Sequence, residues 1–272
     1  MINEFHKAVY SDKCAFSAEK CAIIAAMKYF FTHRDYIPQG MGYGQFSPAH
    51  LIWIALTTVF IVAVAFFYSG AALADKLTIL RSIAVALMIS EVIKLVLMAA
   101  TGVKVSEYLP LEICSFGAYF IVLDSISASN PFYGVMLLTL FMPGAIMAIV
   151  FPTTQSLPAV NFYTIHQFLY HGLIVAYVAA RFVCGEIPLA YPALWGAIAR
   201  ILVLIGIMYV VDTVFDKNFM FLRDAYENPM LEIIRKYCGD GPRYTIGLIL
   251  FSIFVINVFF CIFKLITILF HI

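Results

Sequence analysis

The amino-acid sequence predicts an all-α, polytopic membrane bundle of about seven transmembrane helices. Two observations lie in the composition: 63% of the 272 residues are hydrophobic against 12% charged, and the mean hydropathy is +0.95. Charged residues that scarce cannot cover the surface of a water-soluble domain of this length. The third observation is spacing. Seven apolar stretches are each long enough to cross roughly 30 Å of hydrocarbon at about 1.5 Å per residue.

Residues 14–31 (CAFSAEKCAIIAAMKYFF) form the first element. They read as an amphipathic helix that lies on the membrane, inside an N-terminal interfacial segment 1–45 with no evident cleavable signal. The transmembrane domain then runs over 46–272, with spans expected at 49–70, 79–100, 109–127, 132–151, 162–183, 192–213 and 245–270. Ser127-Ala-Ser-Asn-Pro131 joins the third span to the fourth, and Pro143-Gly144 predicts a kink in the fourth. Phe151-Pro-Thr-Thr-Gln-Ser-Leu-Pro158 leads into the fifth. The long polar loop, 214–244, ends in a Gly-Asp-Gly-Pro turn.

The positive-inside rule orients this bundle. Lys7, Lys13, Lys20, Lys28, Arg34, Lys104, Lys217, Arg223, Arg235, Lys236 and Arg243 fall on one side, against Lys76, Arg81, Arg181 and Lys264 on the other. The expected N-terminus is therefore cytoplasmic and the C-terminus outside. Short loops and the missing transit signal place the expected membrane as a bacterial plasma membrane. A net charge of +1 with scattered basic residues excludes a nucleic-acid groove. Six cysteines without a Cys-x-x-Cys pair predict neither a disulfide framework nor a zinc site. No cofactor is expected.

Ionisable residues inside apolar segments carry the functional reading, because lipid tolerates them poorly. Cys114 lies in Leu-Pro-Leu-Glu-Ile-Cys-Ser, and His171 in Phe-Leu-Tyr-His-Gly. On the predicted spans Cys114 sits about 8 Å and His171 about 14 Å below the cytoplasmic ends. A thiol and an imidazole that can meet are the minimum parts of an acyl-transfer site. Cys114 also has the plain reading of a small packed hydrophobe. Gly172 leaves room beside His171 for substrate or a neighbouring backbone. His166 falls on another face of the helix as a supporting residue, and His50 opens the first span.

Glu91 and Lys94, three apart, are expected to pair, with Glu91 also able to orient an imidazole. Asp124 and Arg200 are expected to form a structural ion pair. Glu112, two residues before Cys114, works electrostatically against a thiolate. Asn218, in Asp216-Lys-Asn-Phe-Met-Phe-Leu222, is either a hydrogen-bond donor to a carbonyl or phosphate, or a cap.

Four motifs taken together resemble one family. They are Phe46-Ser-Pro-Ala-His50, Leu109-Pro-Leu-Glu-Ile-Cys114, Phe168-Leu-Tyr-His171-Gly172, and Asn218-Phe-Met-Phe-Leu222 followed by Asn228-Pro229. Their order and spacing resemble the YwaF-like bacterial integral membrane proteins and are similar to the eukaryotic transmembrane protein 164, over roughly 46–270. The resemblance implies a seven-helix lipid acyltransferase that moves fatty acyl chains between phospholipids and lysophospholipids, with the cysteine on Cys114 and the histidine on His171. Glu112 departs from the His or Gln that many members carry there.

The expected reaction is a two-step transfer through a Cys114 acyl thioester with His171 as general base, on the cytoplasmic leaflet. Ser115, Asn218 and backbone near Pro110 are the expected oxyanion donors. Water as acceptor turns the same pair into a lipase. A lipid or small-molecule transporter is the competing class, favoured by Glu91, Lys94, Arg200 and the interrupted fourth helix. A seven-helix sensor is a third. The expected partners are membrane lipids and lysolipids.

Overall fold

The computed structural model describes residues 28–127, 131–225 and 229–271, and all regular structure among them is helical. Eight helices follow in order: α1 (Pro48–Gly70), α2 (Leu73–Ala100), α3 (Ile113–Ile126), α4 (Pro131–Val150), α5 (Phe162–Val183), α6 (Tyr191–Val214), α7 (Pro229–Cys238) and α8 (Pro242–Phe270). Each of the seven predicted apolar stretches becomes a helix. Five of them (α1, α2, α4, α6 and α8) are long and apolar enough to cross a membrane.

Local chemistry sets the helix starts. Ser47 Oγ accepts the His50 N–H at 3.3 Å ahead of Pro48, and Asn161 Oδ1 accepts the Tyr163 N–H at 2.8 Å. The predicted kink at Pro143 takes the form of a π-helical turn, Leu137–Phe141, embedded in α4. Pro143 has no N–H to donate and crowds the preceding turn, so a wider turn absorbs it.

Two helix starts differ from the sequence expectation. The second helix begins at Leu73, taking Asp75, Lys76 and Arg81 into its first turns. The third begins only at Ile113, because the chain around Pro110 is a turn whose carbonyl is held by Tyr119 Oη at 2.9 Å. Cys114 therefore lies in the first turn of α3 rather than about one and a half turns into a longer helix. At 14 residues α3 is only about 21 Å long.

The outer helices turn apolar side chains outward. Leu56, Val59, Val62, Phe66 and Phe67 on α1 are all more than half exposed, and α2, α6 and α8 show similar faces. Such faces are stable against lipid and costly in water. The helix α5 is the opposite case. Fifteen of its 22 residues are buried, it packs on α1, α2, α3 and α4, and it holds His166, Gln167, His171 and Arg181. Surrounded by other helices, it needs no lipid-compatible surface, and this explains why the innermost helix is not among the most apolar.

A strap of residues 29–45 closes one end of the bundle. Asn161 Nδ2 donates to the carbonyls of Tyr29 (2.6 Å) and Thr32 (3.1 Å), and the Phe162 N–H donates to Phe30 O at 2.8 Å. Tyr43 and Gly44 N–H groups bind Leu157 and Gln155 carbonyls. The expected amphipathic helix at 14–31 falls outside the described residues except for 28–31, as does most of the Ser127–Pro131 turn.

Candidate active site

The site lies beneath this strap, where α2, α3 and α5 meet. Glu91 on α2 is buried and anchors it. Its Oε1 accepts from Lys94 Nζ at 2.6 Å, as the i,i+3 spacing predicts, and from Ser115 Oγ on α3 at 3.2 Å. His166 Nε2 on α5 stands 3.9 Å from Glu91 Oε2. One carboxylate thus bonds α3 to α2 and faces α5. The Lys94 ammonium is close enough for its charge to act on Cys114, His166 and His171 alike.

Cys114 is a half-buried free thiol at the second position of α3. No side chain caps that helix, since the Glu112 carboxylate at its N-cap makes no bond to the first turn. The N–H groups of Ile113, Cys114 and Ser115 therefore have no intrahelical acceptor, and the positive end of the helix dipole sits beside the sulfur. Glu112 is on the same helix end and opposes that effect, as expected from the sequence.

His171 is buried at 8% exposure, with its Nδ1 2.7 Å from the Gln167 carbonyl one turn earlier. A carbonyl oxygen only accepts, so Nδ1 carries the proton and Nε2 keeps its lone pair. That is the tautomer a general base needs. Gly172 next to it serves helix packing: a methyl there would come within 2.9 Å of Thr57 Cγ2 on α1. The room foreseen beside His171 is thus occupied by α1.

Tyr170 completes the cluster; the sequence shows it only as the aromatic before His171 in the Phe168-Leu-Tyr-His171-Gly172 motif, with no role attached. Its ring stacks on His166 (centroids 5.3 Å, 20°) and meets His171 edge-on (5.7 Å, 78°). Its hydroxyl lies in electrostatic range of Cys114 and Glu91. Glu91 Oε2, His166 Nε2 and Tyr170 Oη are all buried without a hydrogen-bond partner among the described residues. Three such atoms in one cluster call for an explanation.

Two other sequence candidates have structural work. His50 is fully buried; the Phe46 N–H donates to its Nδ1 at 2.9 Å, so its Nε2 carries the proton and donates to Ile149 O at 3.0 Å. That bond holds Phe46 at φ 56°, a left-handed conformation uncommon for a bulky residue. Asn218 closes its own loop: Nδ2 donates to Asp224 O at 2.8 Å and Oδ1 accepts the Arg223 N–H at 2.9 Å. The expected Asp124–Arg200 pair does not form. Asp124 pairs with Arg181 on α5, while Arg200 donates to Gly196 O at 2.8 Å and lies over the Phe132 ring.

At the mouth, Lys217 from the 214–225 loop binds Glu107 at 2.6 Å. Hydrogen bonds from Lys217 and then Lys104 hold the Glu107 carboxyl down to about 2. His33 of the strap is buried edge-on against the rings of Tyr108 and Tyr163, and burial lowers its pKa below the ordinary histidine value. Among the described residues, no group of His, Cys, Asp and Glu has the arrangement to hold a metal ion.

Lipid-facing helices around a buried cluster of thiol, imidazole, phenol and carboxylate define an integral membrane protein with an interior polar site. Residues 45–264 match the TMEM164 family, and the chain belongs to that family. No curated protein and no solved structure gives a match.

Proposed function

We propose that the protein is an intramembrane lipid acyltransferase that moves a fatty acyl chain from a phospholipid to a lysophospholipid. His171 Nε2 takes the Cys114 proton, and the sulfur attacks the ester carbonyl. The lysolipid leaves with that proton, and an acyl thioester forms on Cys114. An incoming lysolipid hydroxyl, deprotonated by the same Nε2, accepts the acyl group and frees the thiol. The observation that carries this reading is Cys114 in the uncapped first turn of α3, beside the α5 face on which His171 has its proton fixed on Nδ1.

The acyl chain reaches such a site from the bilayer, and a dry interior limits competing hydrolysis. We also infer seven crossings, counting the short α3 and the interior α5 with the five apolar helices. The strap, Lys104 and the 214–244 loop then face the cytoplasm, and the site draws on that leaflet.

Intact-protein mass spectrometry after incubation with phospholipid tests the reading. Wild type is expected to gain one fatty-acyl mass, lost in Cys114→Ser and formed on the order of 10²–10⁴-fold more slowly in His171→Ala. Phospholipid turnover that survives Cys114→Ser, with no adduct on wild type, overturns it and leaves transport as the leading alternative.

A further inference from the structure

Tyr170 meets the His171 ring edge-on and lies in electrostatic range of Cys114, and the chemistry above gives it no task. It is 4% exposed, and its hydroxyl has no hydrogen-bond partner among the described residues. A phenol buried without an acceptor is costly to the fold, and a ligand that supplies one offsets that cost. The ring cannot swing away, because His166 stacks on one side and His171 abuts it edge-on. It approaches the Ser115 hydroxyl outside hydrogen-bonding geometry, and that hydroxyl already donates to Glu91.

The first turn of α3 carries Cys114 itself. The N–H groups of Cys114 and Ser115 lack intrahelical acceptors, and Glu112 does not cap them. The Tyr170 phenol thus lies in electrostatic range of the residue whose own backbone N–H opens the helix. Asn218, a donor expected from the sequence, has both side-chain atoms committed to its own loop.

We propose that Tyr170 Oη–H and the first-turn N–H groups of α3 form the oxyanion hole for acyl transfer at Cys114, which makes Tyr170 a third catalytic residue. The proposal rests on the thioester reading above. When the Cys114 sulfur bonds to the ester carbon, the carbonyl π pair moves onto oxygen. The resulting oxyanion accepts hydrogen bonds from Tyr170 and from the helix end. As the C=O bond re-forms, the C–O bond to the lysolipid breaks, and the leaving oxygen takes the proton held on His171 Nε2. Donors placed for the charged intermediate and not for the resting thiol lower the barrier without tightening ground-state binding.

Two reactions of the same sulfur separate this role from any other. Acylation by p-nitrophenyl octanoate passes through an oxyanion; alkylation by iodoacetamide displaces iodide at a saturated carbon and does not. In detergent, with Cys114→Ser as background, Tyr170→Phe is expected to slow acylation on the order of 10²–10³-fold and to leave alkylation unchanged. Equal acylation in Tyr170→Phe and wild type overturns the role of Tyr170 and leaves the thioester reading standing. Acylation and alkylation falling together also overturns it, since Tyr170 then acts on the thiol or the fold. A wild type that gains no acyl mass at Cys114 overturns both. Should Tyr170→Phe fail to fold, Tyr170→3-fluorotyrosine keeps the ring and sharpens the donor. Altered acylation with unaltered alkylation then supports the hole, and identical acylation overturns it.

Discussion

The helices α2, α3 and α5 each contribute to two polar clusters, one near each end of the bundle, and the two are built on opposite lines. Toward one end, Asp124 accepts from Tyr177 Oη at 2.7 Å and pairs with Arg181, while Glu186 accepts from Tyr68 Oη at 2.6 Å and Lys76 Nζ at 3.1 Å. Two carboxylates meet two cations, and of the carboxylate oxygens only Asp124 Oδ1 lacks a hydrogen bond. Toward the other end, Glu91 and Lys94 pair, but Glu91 Oε2, His166 Nε2 and Tyr170 Oη have no hydrogen-bond partner among the described residues, and the first turn of α3 is uncapped. A balanced network adds rigidity; groups held unpaired in a rigid frame are poised for a ligand. The first cluster holds the three helices in place so that the second can be left incomplete.

The sharpest way to break this contrast is to unbalance the closed cluster. Asp124→Ala leaves the Arg181 guanidinium buried without its carboxylate, and about 3–5 kcal/mol of stability should go with it. Thermal unfolding in detergent reads the loss, and the fraction that stays folded should acylate Cys114 at the wild-type rate. Asp124→Leu combined with Arg181→Met should recover most of the stability, because an apolar pair in lipid-bounded interior space carries no desolvation cost. A double variant as unstable as the single one would mean that the ion pair is not what Asp124 supplies.

Next in size is the helix contact that sets the height of His171. Gly172→Ala pushes a methyl against Thr57 and should cost about 1–3 kcal/mol, because α1 and α5 must separate or Thr57 must rotate. The companion change Thr57→Ser removes the methyl in the way and should restore most of that stability. Unlike Asp124→Ala, Gly172→Ala is also expected to lower acylation per folded molecule, since it moves the base.

Much of the frame was legible in the sequence and little of the wiring was. Apolar runs predict helices because lipid offers the backbone no other partners, and each predicted run is a helix here. Local pairs were equally readable: Glu91 and Lys94 are three apart on one helix, and Pro143 had to disturb its own turn. Asp124 meets Arg181 and not Arg200 because α5 packs on α3, and the sequence does not reveal which helices are neighbours. The start of α3 differs from the expectation because Pro110 can open a helix or precede one, and here its carbonyl is held by Tyr119. Tyr170 stands in the Phe168-Leu-Tyr-His171-Gly172 motif, yet its place in the cluster was not legible, because it depends on which residues of the neighbouring helices lie opposite.

The two fixed histidines give a smaller test of the same contrast. Both ring nitrogens of His50 are engaged, whereas His171 uses only Nδ1. His50→Ala should cost roughly 1–3 kcal/mol through the lost bonds to Phe46 and Ile149, with acylation per folded molecule retained. His171→Ala should show the reverse balance, a modest stability change and a large rate loss. Hydrogen exchange around Phe46, measured beside the acylation rate, separates the two. Equal rate losses would place His50 in the chemistry after all.

The smallest expected effects belong to the mouth, where titration rather than mutation separates the strap from the loop. His33 is packed between Tyr108 and Tyr163 with Asp35 Oδ2 at 3.1 Å and Arg34 adjacent, and its folded pKa is lowered chiefly by burial. A histidine that resists protonation when docked leaves the undocked strap binding more protons in acid. Docking is therefore complete above about pH 6.5 and weakens as the pH falls below that value. Glu107 runs to lower pH: its folded value of about 2 lies beneath the ordinary glutamate value, so the Lys217 tether is complete above about 4.5 and is lost as the pH falls toward 2. Limited proteolysis between pH 7.5 and 5 should accordingly open the Tyr29–Tyr36 strap first and leave the 214–225 loop protected. His33→Phe, which keeps the ring stack and cannot be protonated, should abolish that opening. If the loop opens first, or the strap opens equally in His33→Phe, the histidine is not what holds the strap shut.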